Sequence, residues 1–375
     1  SGATLTIPAG TRIVSQTGTD KYIAVEQGGD IIVDGSASNP VVMTSANEQG
    51  GDWGGLVICG EAVTTEGVDA TAEVGGLIYG GTDDNDDSGS IDYLIINYAG
   101  AQINSDSQYN GLTLYSVGAQ TEITNVAILN GEDDGVEFFG GTASVTNLYL
   151  ENNQDDSVDW TEGWSGAITN TYVVLNRDDF STAIEADGDN ANPTITDFTA
   201  VSETGGTALQ FKKESGATIT GLSLQGFDTS LDFRDGGALT NVVIEGETSN
   251  PALSYVATAT VDIADFAWVQ SGLEAKAYVS LNGDLTADMT LDADTRYLLD
   301  DVFTVKSGNT LTIPAGTKIT ALDGGASIYI AVEKGATINI NGTEDDPVVM
   351  GSLNGNRGDW GGLVVCGEAT TTEGI

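Results

Sequence analysis

Residues 123–125 read Ile123-Thr124-Asn125, and the phrase returns as Val145-Thr146-Asn147, Ile168-Thr169-Asn170, Ile195-Thr196-Asp197, Ile219-Thr220-Gly221 and Leu239-Thr240-Asn241. The spacings are 22, 23, 27, 24 and 20 residues. A strand-helix-strand unit needs roughly 30 residues or more, whereas one turn of a β-solenoid fits these spacings. Each repeat is then a coil whose strands pair in register with the coils above and below. Like residues stack at about 4.8 Å. Ile123, Val145 and Ile168 therefore form an inward column, and Asn125, Asn147 and Asn170 an amide ladder at a turn. The unequal spacings put changes of length at the corners, so a stretch such as Asp187 to Pro193 belongs outside.

A second column follows half a coil later. It runs through Gly111-Leu112-Thr113-Leu114, Gly135-Val136-Glu137-Phe138, Ser157-Val158-Asp159-Trp160, Ala183-Ile184-Glu185, Ala208-Leu209-Gln210-Phe211 and Ser230-Leu231-Asp232-Phe233. Alternation turns Val136, Phe138, Val158 and Trp160 to one face and Glu137, Asp159, Glu185 and Asp232 to the other. An apolar core does not accept unpaired carboxylates, so these four acids form one outward column. The fold class is all-β, a right-handed parallel β-helix with coils of 20–27 residues.

A longer repeat encloses the short one. SGATLTIPAG at residues 1–10 returns as SGNTLTIPAG at 307–316, and GDWGGLVICGEA at 51–62 returns as GDWGGLVVCGEA at 358–369. The offset is 306, then 307 after one insertion between Thr317 and Tyr329. Residues 1–280 read as one unit without its lead segment, and 281–375 as the lead and opening coils of a second copy.

The phrases TLTIPAGT, YIAVEQGGDIIVDGSASNPVVMTS, GDWGGLVICGEA, DDSGSIDYLIINYAGA, GEDDGVEFFGG and DDSVDWTEGWSG resemble a family of exported right-handed β-helix proteins of Gram-negative bacteria. The resemblance is dense over residues 1–180 and again over 280–375. It implies the fold and an extracellular or cell-surface location. It brings no established reaction, and therefore no catalytic residues. It also implies that a unit opens with a lead like LNGDLTADMTLDADTRYLLDDVFTVKSG, here residues 281–308, of which only the closing Ser-Gly stands at residues 1–2.

Composition narrows the partners. The chain has 375 residues, 40% of them hydrophobic, which suffices for a substantial core. Its 50 glycines and 6 prolines favour short strands and tight turns. With 56 acidic against 12 basic residues the formal net charge is −44. Nucleic acid and anionic membrane are poor partners, because both need clustered Lys and Arg. Salty or calcium-containing extracellular surroundings fit such a surface. There is no histidine, so triads and metal sites built on it are absent. Cys59 and Cys366 close equivalent apolar runs and read as buried small hydrophobes. No apolar run approaches the roughly 20 residues of a membrane span.

Chemistry concentrates in acids. Asp133-Asp134, Asp155-Asp156 and Asp178-Asp179 recur once per coil, just before the outward column. They suit turns closed by Asp side chains, a divalent cation, or, as a smaller prospect, acid–base catalysis. Asp83, Asn85 and Asp87 alternate ahead of Gly89 like the first half of a calcium loop, without the Glu that closes an EF-hand. No cofactor is required by these motifs, and Ca²⁺ is the ion they would suit. Arg177, Lys212, Lys213 and Arg234 lie near the acid column, where ion pairing is their expected role. Trp53, Trp160, Trp164, Trp268 and Trp360 could platform sugars, although GDWGG reads more simply as a recurring corner.

These features point to a non-enzymatic extracellular solenoid serving as a stalk or fibre. Its expected partners are other copies end to end and a carbohydrate or cell-surface ligand. Residues 242–306, strand-like through Ala257 to Ile263 and Val302 to Val305, would continue the coils into the next unit. At about 23 residues per coil a unit then holds at most about 13 coils, a rod of roughly 60 Å. The alternative is a polysaccharide-active β-helix enzyme using outward carboxylates.

Overall fold

Asn125, Asn147, Asn170 and Asp197 adopt φ values of 52°, 59°, 58° and 53°, and Gly221 one of 68°. Asn, Asp and Gly tolerate that left-handed conformation best. Each lies inside a long parallel strand and bends it, so that one strand serves two faces of a coil. The amides stack: Asn147 Nδ2 donates to Asn125 Oδ1 at 3.0 Å, and Asn170 Nδ2 to Asn147 Oδ1 at 2.6 Å. Asp92 ends the ladder, its Oδ1 accepting from Asn125 Nδ2 at 2.7 Å.

The computed structural model describes all residues except 1, 106, 275–278, 294, 345, 354 and 370–375. They form two compact units, residues 1–273 and 274–375. In the first, a twelve-stranded sheet carries the bent strands and an eight-stranded sheet carries the half-coil column. The eight strands, from Ile23–Val25 through Leu56–Cys59, Leu112–Tyr115, Val136–Phe139, Asp156–Thr161, Thr182–Ala186 and Thr207–Lys212 to Thr229–Arg234, pair in chain order, all parallel. This is the parallel β-helix. Its lumen is filled by registered columns such as Leu112, Val136, Val158, Ile184, Leu209 and Leu231, all at most 2% exposed.

The eight-stranded sheet counts eight coils, about 38 Å of axial rise, within the upper bound of about thirteen for a full repeat. Two stretches do not wrap. Residues 60–82 leave the end of Leu56–Cys59 as an excursion containing the antiparallel pair Ala70–Thr71 and Ile78–Tyr79. They lie over the outer side of the eight-stranded sheet, where Ala72, Val74, Leu77 and Tyr79 bury Val57, Cys59, Tyr115 and Phe139. Residues 249–273 form a strap. After the closing hairpin Val242–Ile244 with Glu247–Thr248, the chain turns back along the outside of the twelve-stranded sheet. Tyr255 O accepts from Leu224 N at 3.2 Å, Phe266 packs on Tyr149 at 5.5 Å, and Trp268 meets Tyr93 edge-on at 5.2 Å. A Cβ on Gly272 would sit 2.4 Å from Pro40 and 2.6 Å from Ile95, so glycine lets the strap close onto the second coil. The expected strand through Ala257 to Ile263 is thus part of this strap, and it ends in the short helix Ala267–Leu273.

In the second unit the lead segment forms Val279–Leu285, Met289–Thr290 and Tyr297–Val305. Val279–Leu285 pairs with Tyr297–Val305, and Met289–Thr290 and Tyr297–Val305 pair along Thr310–Pro314, Lys318–Ala321 and Ile330–Val332, the repeat of the chain's opening strands. Leu311 is 0% exposed beside this lead, while its counterpart Leu5 is 48% exposed. Cys59 is buried, and burial followed by the charge of Glu26 pushes its thiol up to about 12. Cys366 is exposed, contrary to expectation, at the end of the likewise exposed strand Leu363–Val365.

Candidate functional site: a carboxylate centre on the eight-stranded sheet

The strands that fill the lumen with Val136, Phe138, Val158 and Trp160 turn their alternate residues outward. Thr113, Glu137 and Asp159 pair across neighbouring coils, as do Glu185, Gln210 and Asp232, and Val158 pairs with Ile184 between the two sets. The result is a single column on the outer face. It is not freely solvated: Glu137 and Asp159 are partly covered, and Glu185 is 9% exposed.

A second column lies where the chain turns into these strands. Asn110, Asp134, Asp156 and Thr182 succeed one another there. Asp134 Oδ1 accepts from Asp156 N at 2.8 Å, and Asp156 Oδ1 from Thr182 Oγ1 at 2.5 Å. Asn110 Nδ2 crosses between the columns to Glu137 Oε2 at 2.6 Å. Carboxylate oxygens of Asp134, Glu137 and Asp159 lie within 4.8 Å of one another, and so do those of Asp133, Asp134 and Asp155. Asp134 joins the two groups.

Full charges at that separation repel by roughly 3 kcal/mol per pair at an effective dielectric of about 20. Burial, then the charge of Asp155, pushes Asp133 up to about 8. Burial first, then the neighbouring carboxylates, holds Asp134, Glu137, Asp156 and Asp159 well above the usual range. Such a centre either keeps protons at neutral pH or takes a cation.

The remaining candidates are placed differently. Asp178 and Asp179 are exposed, and Arg177 forms a fork on Asp179 at 2.6 and 2.9 Å whose hydrogen bonds hold that acid below its usual range. Lys212 meets Glu185 at 2.5 Å, Lys213 meets Asp187 at 3.1 Å and Arg234 meets Asp232 at 2.7 Å. Burial opposes the charge on Lys212, but its hydrogen bond to Glu185 together with the charges of Glu185, Asp156 and Asp159 raises its pKa. In the acidic loop, Asp83 Oδ1 accepts from Asn85 N, Asp87 Oδ1 from Gly89 N and Asp84 Oδ1 from Val63 N, at 2.9–3.1 Å. Asp83 and Asp87 close their own turns, and Asp84 ties the loop to Val63. Trp53, Trp160 and Trp164 are at most 2% exposed, and Trp268 belongs to the strap, so none of the four offers a face to a sugar.

An open cleft of about 460 Å³ adjoins the centre, lined by Gln102, Gln108, Asp133, Gln154, Asp155 and Phe180 among others. The excursion over the sheet is tied down by Glu162 and Gln27. Glu162 accepts from Thr64 Oγ1 at 2.6 Å and from Tyr79 Oη at 2.8 Å, and Gln27 Nε2 bonds both Gly60 O and Gly80 O at 3.0 Å. Sequence reasoning missed Asn110, Tyr115, Thr182 and this cover. Extending the Asp134 column one coil back reaches Asn110, the one signal that could have found it.

Residues 1–275 and 283–375 match the family model described as pectate-lyase like beta helix domain. No curated protein matches the chain.

Proposed function

The chain belongs to the pectate-lyase-like β-helix domain family, and from that premise we propose that it is a non-enzymatic extracellular structural protein. In this reading tandem solenoid units build a stalk or fibre on the surface of a Gram-negative bacterium. Copies associate with one another, and a carbohydrate or surface component is what the fibre meets. The observation that carries the reading is the engagement of the charged side chains. Lys212 and Lys213 pair with acids of the neighbouring coil, and Arg177 and Arg234 with acids two residues away, so all four are engaged where a catalytic site would leave groups free for substrate.

One observation favours the enzyme alternative. Asp133, whose carboxyl burial and the charge of Asp155 push up to about 8, and the exposed Asp155 face the same cleft with oxygens within 4.8 Å, and a glycosidase uses a pair of carboxyl groups. The two readings part in one experiment. The purified chain, incubated with a panel of neutral and acidic polysaccharides, is expected to release neither reducing ends nor unsaturated products, while electron micrographs show stiff, elongated assemblies. Turnover of any polysaccharide that Asp133→Asn abolishes would overturn the structural reading.

A further inference from the structure

We propose that Asp134, Glu137, Asp159 and Asn110 form a binding site for a divalent cation of the calcium type. The site lies on the outer face of the eight-stranded sheet. It stands on its own geometry and holds whether the solenoid is a scaffold or an enzyme.

The three carboxylates supply oxygens no more than 4.8 Å apart. Ca²⁺–oxygen distances of about 2.3–2.6 Å allow two ligands of one ion to lie up to about 5 Å apart. Neutral partners around the acids give the independent observation. Asn110 is 1% exposed and anchored by Nδ2 on Glu137, yet its Oδ1 is buried without a hydrogen-bond partner. Tyr115 is likewise 1% exposed, and its partnerless hydroxyl lies in the field of Glu73 and Glu137. Asp159 Oδ1 is a third buried oxygen with no partner.

Buried polar atoms in native proteins are almost always satisfied, and a cluster of orphaned oxygens calls for an unseen partner. A protonated carboxyl donates its single proton to only one such oxygen. A cation satisfies the oxygens of Asn110 and Asp159 together and offsets the repulsion among the acids. The donor set is all oxygen, since the chain has no histidine and the Cys59 thiol stays protonated. Hard cations are therefore selected over zinc or copper. An irregular set of carboxylates and an amide suits Ca²⁺ better than Mg²⁺, which demands a near-ideal octahedron.

The test uses the full chain with Tb³⁺ and Ca²⁺ in about 0.5 M NaCl, where exposed acids are screened within a few ångströms. Excitation of Trp160 and Tyr115 should sensitise Tb³⁺ emission, and Ca²⁺ should abolish it. Glu137→Gln is expected to weaken Ca²⁺ binding roughly tenfold or more. Asn110→Ala leaves net charge unchanged and should also weaken it, which general attraction to an acidic surface does not explain. Asp83→Asn with Asp87→Asn, in the turn-closing loop, should leave affinity as it was. Should the site variants fail to fold, equilibrium dialysis of the unaltered chain still decides. Retention of no Ca²⁺ at millimolar concentration overturns the proposal, as does wild-type affinity in folded Glu137→Gln and Asn110→Ala.

Discussion

At the scale of single residues the acids set how stability depends on pH. Asp133 titrates at about 8 in the folded chain, and Asp134, Glu137, Asp156 and Asp159 titrate well above the usual range, whereas the unfolded values lie at about 4. Between these limits the native state binds more protons than the unfolded state, so stability falls as pH rises. In chelator at fixed ionic strength, the thermal midpoint should therefore be higher at pH 5 than at pH 8. A midpoint that rises over that interval would contradict the burial of these groups as acids. The periodic part of this centre was legible. Asp133-Asp134 and Asp155-Asp156 recur at coil spacing, and Glu137 and Asp159 alternate with lumen residues. Asn110 is reached only by extending the Asp134 column one coil back, and Tyr115 was not legible, because its meaning depends on what folds over it.

At the scale of elements, the two stretches that fail to wrap were hidden by local propensity. Ala257-Thr258-Ala259-Thr260-Val261 carries a strand-like alternation, but strand preference is a preference for a half-buried pleated surface, and tertiary contacts decide it. The surface the strap covers carries a signal of its own. Val42, Ile95, Ala127 and Tyr149 face outward yet are at most 6% exposed, packed under Val261, Phe266, Trp268 and Val269. Strands apolar on both faces are covered on both faces, and Leu94-Ile95-Ile96 and Val126-Ala127-Ile128-Leu129 are of that kind. Trp268→Ala should destabilise the first unit by about 3 kcal/mol, as for loss of a buried aromatic side chain. It should also open residues 255–270 to limited proteolysis while the far-ultraviolet circular dichroism of the coils persists. Unchanged protease resistance would show that the strap does not depend on this anchor.

At the scale of the whole chain, stacking was the most legible feature, because registered columns repeat one physical requirement in every coil. Coil number was legible only as an upper bound, because length alone does not tell wrapped chain from excursions. The strap also decides how the first unit meets tension. The chain enters it through Thr4–Pro8 in the first coil and leaves at Leu273, against Pro40 and Ile95 one or two coils away. A pull on both ends then runs across one pole of the solenoid and leaves the other coils outside the line of force. The strap must peel first, Trp268 before Phe266 before Tyr255, and its extension would release roughly 80 Å of slack before any coil unwinds. Single-molecule stretching should show that small first step at low force. A first event that frees several coils together would place the load on the ladder itself. With the slack taken up, force reaches the last coil and unwinds the solenoid one turn at a time, so the first unit yields gradually under a sudden load instead of snapping.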